Sequence, residues 1–358
     1  MAIEQLKSVL STRVDVAIQG IRVAAPVHRE GGAGPSDDGH VLFQGMQSAI
    51  PVNQDSPYLV QNGRLLLDGA DLGLEVTPVD RPRFYDLATA DGVSYEQIAR
   101  LHGAKVLATT VVQTCIRYAE AERCRFCSIE ESLRSGDTIA VKTPAMLAEV
   151  ARAAVDLDGV EQMVMTTGTS NGWDRGAKHL ARCVKAIKDA VPELAIQVQI
   201  EPPRNLRAIR DLYDAGAESI GIHVESMDDD VRRRWMPGKS TVTLDEYRAA
   251  WAEAVRVFGR NQVSTYLLVG MGEDPDDIPR WADELIALGV YPFVVPFRPL
   301  RGTLATDVDH VPAPDRTILE TVSRQVAALL VAAGMLGSEQ KAGCAACGAC
   351  GVLKTAGA

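Results

Sequence analysis

The sequence predicts an α/β fold built from consecutive strand and helix units. The chain has 358 residues, 46% apolar and 23% charged, which is enough for a large buried core. From about residue 104, apolar runs of strand length alternate with segments of helical periodicity. Such repeated units form a parallel sheet that either closes into a barrel or winds into an open, doubly wound sheet. In both cases the functional side chains belong at the C-terminal ends of the strands.

Composition and charge exclude several classes of partner. The formal net charge is −10, so nucleic acid and anionic membrane surfaces are poor partners. The longest apolar run, residues 326–336, is too short to span a membrane. The N-terminus carries no secretory signal, because a charge stands at Glu4 and no apolar stretch follows. We therefore expect a cytoplasmic protein whose cysteines stay reduced.

Residues 1–100 are predicted to form a small, mixed α+β N-terminal region. Residues 13–25 and 64–79 are strand candidates, and the glycine-rich stretch 29–40 is predicted to be a surface loop. Residues 101–305 are predicted to carry six strand and helix units, and residues 306–358 a terminal helix followed by a cysteine-rich tail. The six predicted strands are Val106–Gln113, Gln162–Thr167, Ile196–Glu201, Ser219–Glu225, Val263–Gly270 and Pro292–Phe297.

Boundary signals support the intervening helices. Thr143 with Pro144 predicts a helix start, and Thr243 with Glu246 predicts a capping box. Gly259 and Gly289 are predicted to follow helix ends, where a left-handed residue is favoured.

Six of the seven cysteines fall into two groups. The first group is Cys115, Cys124 and Cys127, which directly follows the first predicted strand of the repeated units. Three thiolates there suit a zinc ion, or an iron-sulfur cluster with one iron left open. The alternative is that they are small buried apolar residues.

The second group is Cys344, Cys347 and Cys350, spaced by two residues and flanked by glycines. Three ligands at this density predict an auxiliary iron-sulfur cluster, with a zinc or other metal site, or a flexible redox or docking tail, as alternatives. Cys183, the seventh cysteine, lies at an apolar position in a predicted helix and is predicted to pack in the core. A tail cluster would therefore have an open or non-cysteine fourth site, such as a serine, a substrate atom or a partner.

The CRFC stretch at residues 124–127, with Phe126 before the last cysteine, resembles the radical S-adenosylmethionine (SAM) superfamily. Eight residues separate Cys115 from Cys124, whereas most members have three. The resemblance covers residues 104–300. It implies a partial (βα)6, TIM-like barrel and a 4Fe-4S cluster on the three cysteines. In that superfamily, the reduced cluster cleaves SAM to a 5′-deoxyadenosyl radical that abstracts hydrogen from the substrate.

The same resemblance implies SAM-binding and substrate-binding residues at the strand ends. The TTGT stretch, GIHVESMDDDVRRRWMPGK and LLVGMGE match segments whose backbone or side chains contact SAM. One arginine of residues 232–234 would bind the SAM carboxylate, and Arg233 is our choice. The implied cofactor-binding residues are Phe126, Thr166, Thr167, Gly168, Thr169, Glu201, Glu225, Ser226, Arg233, Gly270, Gly272 and Arg298. His223 is expected on the same face, either as a site residue or as a core histidine, and no catalytic residue is assigned.

A second cluster beside a radical SAM barrel favours sulfur insertion of the kind performed by lipoyl and biotin synthases. Residues 166–202 also resemble lipoyl synthases, although those enzymes carry their extra cysteines before the barrel. Two-component lipoyl synthases, and a radical SAM family of bacterial nitrilase gene clusters, remain alternatives, as does a tail cluster that only relays electrons. Expected partners are a small-molecule or carrier-bound substrate, a flavodoxin or ferredoxin, and either a second radical SAM protein or a lipoyl-domain carrier. The rival class is a zinc or iron-sulfur scaffold or electron carrier without SAM chemistry.

Overall fold

Two β-sheets organise the chain. The computed structural model describes residues 2–23 and 39–357. A five-stranded sheet lies near the N-terminus, and a seven-stranded sheet follows it. The predicted glycine-rich loop at residues 29–40 lies outside the described residues, apart from its last two positions.

The N-terminal region is an antiparallel sheet accompanied by one long helix. Its strand order is β2-β1-β5-β4-β3, and the strand candidate at residues 64–79 forms two antiparallel strands, β4 and β5. The elements are α1 (Ala2–Gln19), β1 (Gly39–Phe43), β2 (Met46–Ile50), β3 (Tyr58–Gln61), β4 (Arg64–Leu67), β5 (Ala70–Pro78) and α2 (Tyr95–Ile98).

The strand predicted at residues 13–25 is wrong over residues 13–19, because α1 continues through Gln19, whereas Ile21 and Arg22 do form parallel β-bridges. The alternation in RVDVAI reflects two apolar faces of one helix. Leu10, Val14 and Ala17 pack into the barrel core, whereas Val16 packs into the core of the N-terminal sheet. A helix held between two cores needs apolar residues at more positions than one stripe provides.

The barrel sheet confirms all six predicted strands. Its order is β12-β11-β10-β9-β8-β7-β6, and every neighbouring pair from β7 to β12 is parallel. The strands are β6 (Arg100–His102), β7 (Val106–Thr110), β8 (Gln162–Thr166), β9 (Ala195–Gln199), β10 (Ser219–Gly221), β11 (Val263–Val269) and β12 (Val290–Pro296). Sequential order means that every crossover helix packs on the same, outer face, so the sheet curls into the predicted partial (βα)6 barrel.

The barrel helices begin and end at the predicted signals. The Thr143 hydroxyl accepts from the Met146 N–H, and Thr243 and Glu246 form the reciprocal capping box. Gly259 and Gly289 follow helix ends. The helices are α3 (Glu131–Arg134), α4 (Pro144–Asp158), α5 (Ala177–Ala190), α6 (Arg207–Asp214), α7 (Asp229–Trp235), α8 (Leu244–Phe258), α9 (Asp277–Leu288), α10 (Leu304–Asp307), α11 (Arg316–Ala332), α12 (Cys344–Cys347) and α13 (Leu353–Ala356).

The cysteine-rich tail packs inside the barrel, which it enters at the N-terminal ends of the barrel strands. Ser219 Oγ, at the start of β10, donates to the Ala342 carbonyl at 2.7 Å. Gln162 Oε1, at the start of β8, accepts from the Gly343 N–H at 2.6 Å. The Ala349 carbonyl accepts from Arg13 of α1 and from the backbone N–H of Ala49 in β2, both at 3.0 Å. The tail therefore fills the concave side of the sheet between the barrel and the N-terminal region.

The predicted boundaries at residues 100 and 305 stay predictions. Across the described ranges, no helix is both long enough and apolar enough to cross a bilayer.

Candidate active site

The first three cysteines lie on a loop at the C-terminal end of β7, here called the rim loop (residues 115–127). Hydrogen bonds fix both ends of the loop. The Ile116 N–H donates to the Thr169 carbonyl at 2.9 Å, and the Arg125 N–H donates to the Trp235 carbonyl at 2.7 Å. The rim loop is therefore anchored both to the loop after β8 and to α7. These attachments fix both ends of the segment that contains the eight residues between Cys115 and Cys124.

The last two cysteines of the rim loop share one tight turn. The Cys127 N–H donates to the Cys124 carbonyl at 2.9 Å. Cys124 and Phe126 pack against an apolar group that includes Trp235, Met271 and Phe297. A water-poor wall therefore lies behind these thiols.

The electrostatic surroundings of the rim thiols suit a metal cluster. Burial raises the pKa of Cys127 to about 11 and that of Cys124 well above its ordinary value, with Lys239 acting in the opposite direction. The charge of Cys115 also acts on Cys127 and raises the pKa of that thiol further. All seven cysteines, each within the described residues, are free thiols. Buried thiols of this kind ionise when a metal supplies the positive charge, so this donor set fits an iron-sulfur cluster.

The geometry of these side chains fits a zinc ion less well than an iron-sulfur cluster. Within residues 2–23 and 39–357, no three His, Cys, Asp or Glu side chains stand close enough together to hold one metal ion. A tetrahedral zinc needs all its ligand atoms within about 2.3 Å of a single centre. A four-iron cube binds each thiolate at a different corner and so accepts sulfurs that stand further apart.

A buried ion pair lies beside Cys124. Both carboxylate oxygens of Glu225 accept from Lys239 Nζ, at 2.8 and 2.6 Å. Burial alone would lower the pKa of Lys239, but the charge of Glu225 raises it above its ordinary value. Glu225 also has a φ of 62°, a left-handed conformation that costs a non-glycine residue about 1–3 kcal/mol. Hydrogen bonds with β11 hold that backbone in place, at Tyr266 and Leu268.

A second acidic group connects the rim loop to β9. Glu201 Oε1 accepts from the Thr169 hydroxyl at 2.7 Å, and its Oε2 pairs with Arg117 of the rim loop at 3.2 Å. Arg175 lies 3.9 Å from the same oxygen. The structure thus brings together the predicted residues Thr169 and Glu201.

Sequence reasoning missed Arg117, Arg175 and Lys239. Lys239 ends the segment that contains Glu225, and Arg117 stands between two cluster cysteines. A search for the basic partner of each buried acid would have found both.

The three arginines of α7 point in different directions. Arg232 is buried against Tyr247 and pairs with Asp229 at 3.0 Å. Arg233 is exposed and pairs with Asp230, away from the Glu225 group. Arg234 donates to the Met271 carbonyl at 2.6 Å. The structure therefore does not bring Arg233 to the cysteines.

Glycines at two strand ends allow close backbone approach. A Cβ at Gly168 would overlap the Thr114 carbonyl, which lies between β7 and the rim loop. Gly270 and Gly272 have φ of 107° and 87°, and the Glu273 carboxylate accepts from the Gly270 N–H at 2.7 Å. This turn borders a cleft of about 630 Å³ that is also lined by Arg125 and Arg234.

The remaining predicted residues divide between the rim and the interior. Ser226 is fully buried and accepts from the Asp228 N–H at 3.2 Å. His223 is partly buried, stacks on Tyr266 with centroids 4.0 Å apart, and accepts the Tyr266 N–H at Nδ1. Arg298 donates to the Ala49 carbonyl of the N-terminal sheet at 2.7 Å.

The second group of cysteines lies inside the barrel, on what is here called the tail segment (residues 342–351). Cys344 Sγ accepts from Gln199 Nε2 at 3.2 Å and lies 2.8 Å from the Tyr266 hydroxyl. Cys350 Sγ lies 3.3 Å from His102 Nε2. Burial raises the pKa of Tyr266 well above its ordinary value, and the charges of all three tail thiols raise it further. The Tyr266 hydroxyl therefore contacts Cys344, and the charges of Cys347 and Cys350 also act on it.

An interior cavity reaches from the tail segment to the strand ends. It holds about 250 Å³, and its wall includes Cys344 and Cys350 on one side and Thr110 and Thr166 at the ends of β7 and β8. Thr166 begins the predicted SAM-contacting stretch. The tail cysteines Cys344 and Cys350 are thus adjacent to a space that reaches the ends of β7 and β8.

Known proteins match this architecture in part. Residues 121–285 match the family model of the radical SAM superfamily. A lipoyl synthase from Ectopseudomonas mendocina (strain ymp) is 27% identical over 177 residues, covering 47% of this chain and 46% of that protein. A lipoyl synthase from Halorhodospira halophila (strain DSM 244 / SL1) is 29% identical over 208 residues, covering 54% and 56%. The chain spans about half the length of these curated relatives.

Among solved structures, methylornithine synthase (PylB) is similar, with a TM-score of 0.48 and 14% identity over 77% of this chain and 78% of that chain. The family match and the six-unit half-barrel, with three cysteines beyond its first parallel strand, agree with each other. Residues 121–285 therefore match a radical SAM domain, as the sequence resemblance implied.

Proposed function

We propose that this protein is a radical SAM enzyme that inserts sulfur into its substrate. Cys115, Cys124 and Cys127 hold a 4Fe-4S cluster and leave one iron for SAM. When reduced by a flavodoxin or ferredoxin, that cluster supplies the electron that splits SAM into methionine and a 5′-deoxyadenosyl radical, which removes hydrogen from the substrate. The chain itself binds and orients SAM and the substrate and shields them from water.

The residues around the rim loop suit the two ends of SAM. Glu225 and Lys239 offer one charge of each sign beside Cys124, which matches the ammonium and carboxylate of the methionyl part. The backbone at Thr166–Thr169 and the turn at Gly270–Gly272 provide polar groups at two strand ends, where the glycines Gly168, Gly270 and Gly272 allow close packing. Among the arginines of α7, Arg234, which lines the cleft beside Gly272, replaces Arg233 as our choice for a second cation, beside Lys239, at the SAM carboxylate.

One observation carries the sulfur-insertion proposal. Cys344 and Cys350 line the same cavity as Thr166, so an auxiliary cluster on the tail segment faces the space in which a substrate would lose hydrogen. A cluster meant only to hold a domain together has no need to border that space. Each C–S bond formed replaces one C–H bond, so the sulfur source must reach the carbon that lost its hydrogen.

SAM cleavage is the first test. Protein reconstituted with iron and sulfide without oxygen, then reduced with dithionite in the presence of SAM, should form 5′-deoxyadenosine, measured by mass spectrometry. The Cys115/Cys124/Cys127 triple-Ala variant should lose this activity more than about 100-fold, since even losing a second-shell partner costs up to that much.

Cys183→Ala is the matched control, because Cys183 is a core cysteine of α5 that belongs to neither group. It should retain cleavage. A wild-type preparation that binds iron yet leaves SAM intact would contradict the enzyme proposal and favour the scaffold class.

Electron relay is the second candidate for the tail cluster. It is favoured by the depth of the tail thiols, because Cys347 is 2% exposed and its sulfur is shielded by protein on most sides. Clusters reconstituted with ³⁴S sulfide distinguish the two functions. Sulfur insertion predicts labelled product on an acylated lipoyl-domain carrier or another acceptor, limited to the sulfur content of one tail cluster per chain. Relay predicts many turnovers without label.

A further inference from the structure

A buried arginine of the N-terminal region lies against the tail segment. Arg13, on α1, is 2% exposed. Its Nη2 donates to the Ala349 carbonyl at 3.0 Å and to the Gly351 carbonyl at 3.4 Å, and these two carbonyls flank Cys350. Its Nη1 is also buried, and in the part of the chain that the structure describes it has no hydrogen-bond partner. The guanidinium is therefore fixed beside the third tail cysteine with one of its nitrogens unused.

A cation in this position is costly unless an anion accompanies it, because a charge taken out of water loses its hydration. The acid nearest to Arg13 in the sequence, Asp15, pairs with Arg316 instead. Burial and the nearby charge of Arg298 lower the pKa of Arg13 to about 9, whereas the charge of Cys350 raises it. The negative charge that acts on this guanidinium thus comes from a tail cysteine, and only when that cysteine is a thiolate.

An iron-sulfur cluster on the tail segment would supply that anion, and this inference therefore rests on the auxiliary cluster proposed above. Neutral thiols leave the guanidinium without a counter-charge. Three thiolates outweigh the positive charge of an oxidised four-iron core, so the loaded site is an anion, and reduction adds one more negative charge. A fixed cation nearby consequently stabilises the reduced cluster more than the oxidised one.

We propose that Arg13 is the counter-charge of the tail cluster and raises its reduction potential. Its hydrogen bonds go to the backbone on both sides of Cys350, so it is a positioning residue that acts through its charge, and the three cysteines remain the ligands. Helix α1 packs between the barrel core and the core of the N-terminal sheet, which keeps the guanidinium away from water. The N-terminal region thereby becomes part of the auxiliary site.

The test uses the full chain with the rim cysteines changed to alanine, which isolates the tail cluster. Each protein is reconstituted with iron and sulfide, and its reduction potential is measured by a redox titration followed by electron paramagnetic resonance. Arg13→Gln keeps an amide that can donate to the same carbonyls but removes the charge. At the midpoint potential of the parent, its ratio of reduced to oxidised cluster should fall about tenfold, a shift of about 59 mV to lower potential.

Two further variants separate charge from hydrogen bonding. Arg13→Lys keeps the charge without the planar fork, and its potential should stay close to that of the parent. Arg207→Gln is the matched control, because Arg207 is an exposed arginine of α6 whose charge is screened by water. It should keep the potential of the parent.

A parent with about four irons, whose potential Arg13→Gln leaves unchanged or raises, overturns this inference alone and leaves the auxiliary cluster. Arg13→Lys with a potential as low as that of Arg13→Gln also overturns it, because charge would then not set the potential. If Arg13→Gln loses its irons, Arg13→Lys decides: iron and potential close to the parent support the counter-charge, and their loss overturns it. A parent without iron overturns both the inference and the auxiliary cluster.

Discussion

The rim loop and the tail segment each present three cysteines, but in different surroundings. Beside the rim thiols stand charged groups, including the Glu225–Lys239 pair and Arg123. The side chains that contact Cys344 are neutral, Gln199 and Tyr266, and the charges that act on Cys347 and Cys350 include Lys354 and Arg13. A site that exchanges a charged cofactor benefits from the first setting. A site that keeps a cluster away from water benefits from the second.

The largest expected effect concerns the charged side of this comparison. Glu225→Gln leaves the Lys239 ammonium buried without its counter-charge, which should cost about 3–5 kcal/mol of unfolding free energy. Denaturant titration measures this loss. The double variant Glu225→Gln with Lys239→Met should recover most of it, since neither buried charge remains. If the double variant is as unstable as the single one, pairing of the Glu225 and Lys239 charges is not what stabilises the protein at the rim loop.

The sequence predicted the strands of the barrel better than the surroundings of its cysteines. The six strands were recognisable because each is a short apolar run between helical segments. The strand β6 was missed because Arg100–His102 is three residues long and carries two polar residues. Helix α1 was mistaken for a strand because it is apolar on two faces.

Contacts between residues that are far apart in the sequence explain the other features that the sequence did not predict. The cysteine groups were visible from spacing, but the seating of the tail inside the barrel was not. That seating depends on pairs such as Gln162 with Gly343 and Tyr266 with Cys344, which are 181 and 78 residues apart. Nothing local in the sequence encodes these pairs.

A smaller effect is expected where the tail enters the barrel. Gly343 has a φ of 113°, and a Cβ there would overlap the side-chain amide of Gln197. Gly343→Ala should therefore cost about 1–3 kcal/mol through overpacking and strain, and should loosen the tail. Thermal unfolding measures the loss of stability, and limited proteolysis measures the loosening of the tail.

Gly172→Ala is the matched control, because no atom lies within 4 Å of a Cβ added there. It should change stability by well under 1 kcal/mol. Equal effects of the two substitutions would mean that the tail is not seated as described.

The smallest effect is a pH dependence at the wall between the two regions. Burial, with a smaller contribution from Arg100, lowers the pKa of Lys142 to about 7, and its ammonium donates to Gln113, Thr138 and the Ile139 carbonyl. Between pH 7 and about 10.4 the unfolded chain then binds more protons at this site than the folded chain. Stability should rise with pH in that window, by at most about 1.4 kcal/mol per pH unit from this group.

Urea titrations at pH 7, 8 and 9 test this contribution. Lys142→Met should remove it and flatten the pH dependence relative to wild type. The exposed Lys185→Met variant should keep the wild-type slope. A Lys142→Met protein with an unchanged slope would contradict the burial argument.

The most direct test of the two-centre account is the iron and sulfide content of three proteins reconstituted under the same conditions. Wild type should bind about eight irons per chain, and the rim and tail triple-Ala variants about four each. The rim variant should lose SAM cleavage while the tail variant keeps it. Wild type with only about four irons, all lost in the rim variant and all kept in the tail variant, would contradict the account of two cooperating clusters.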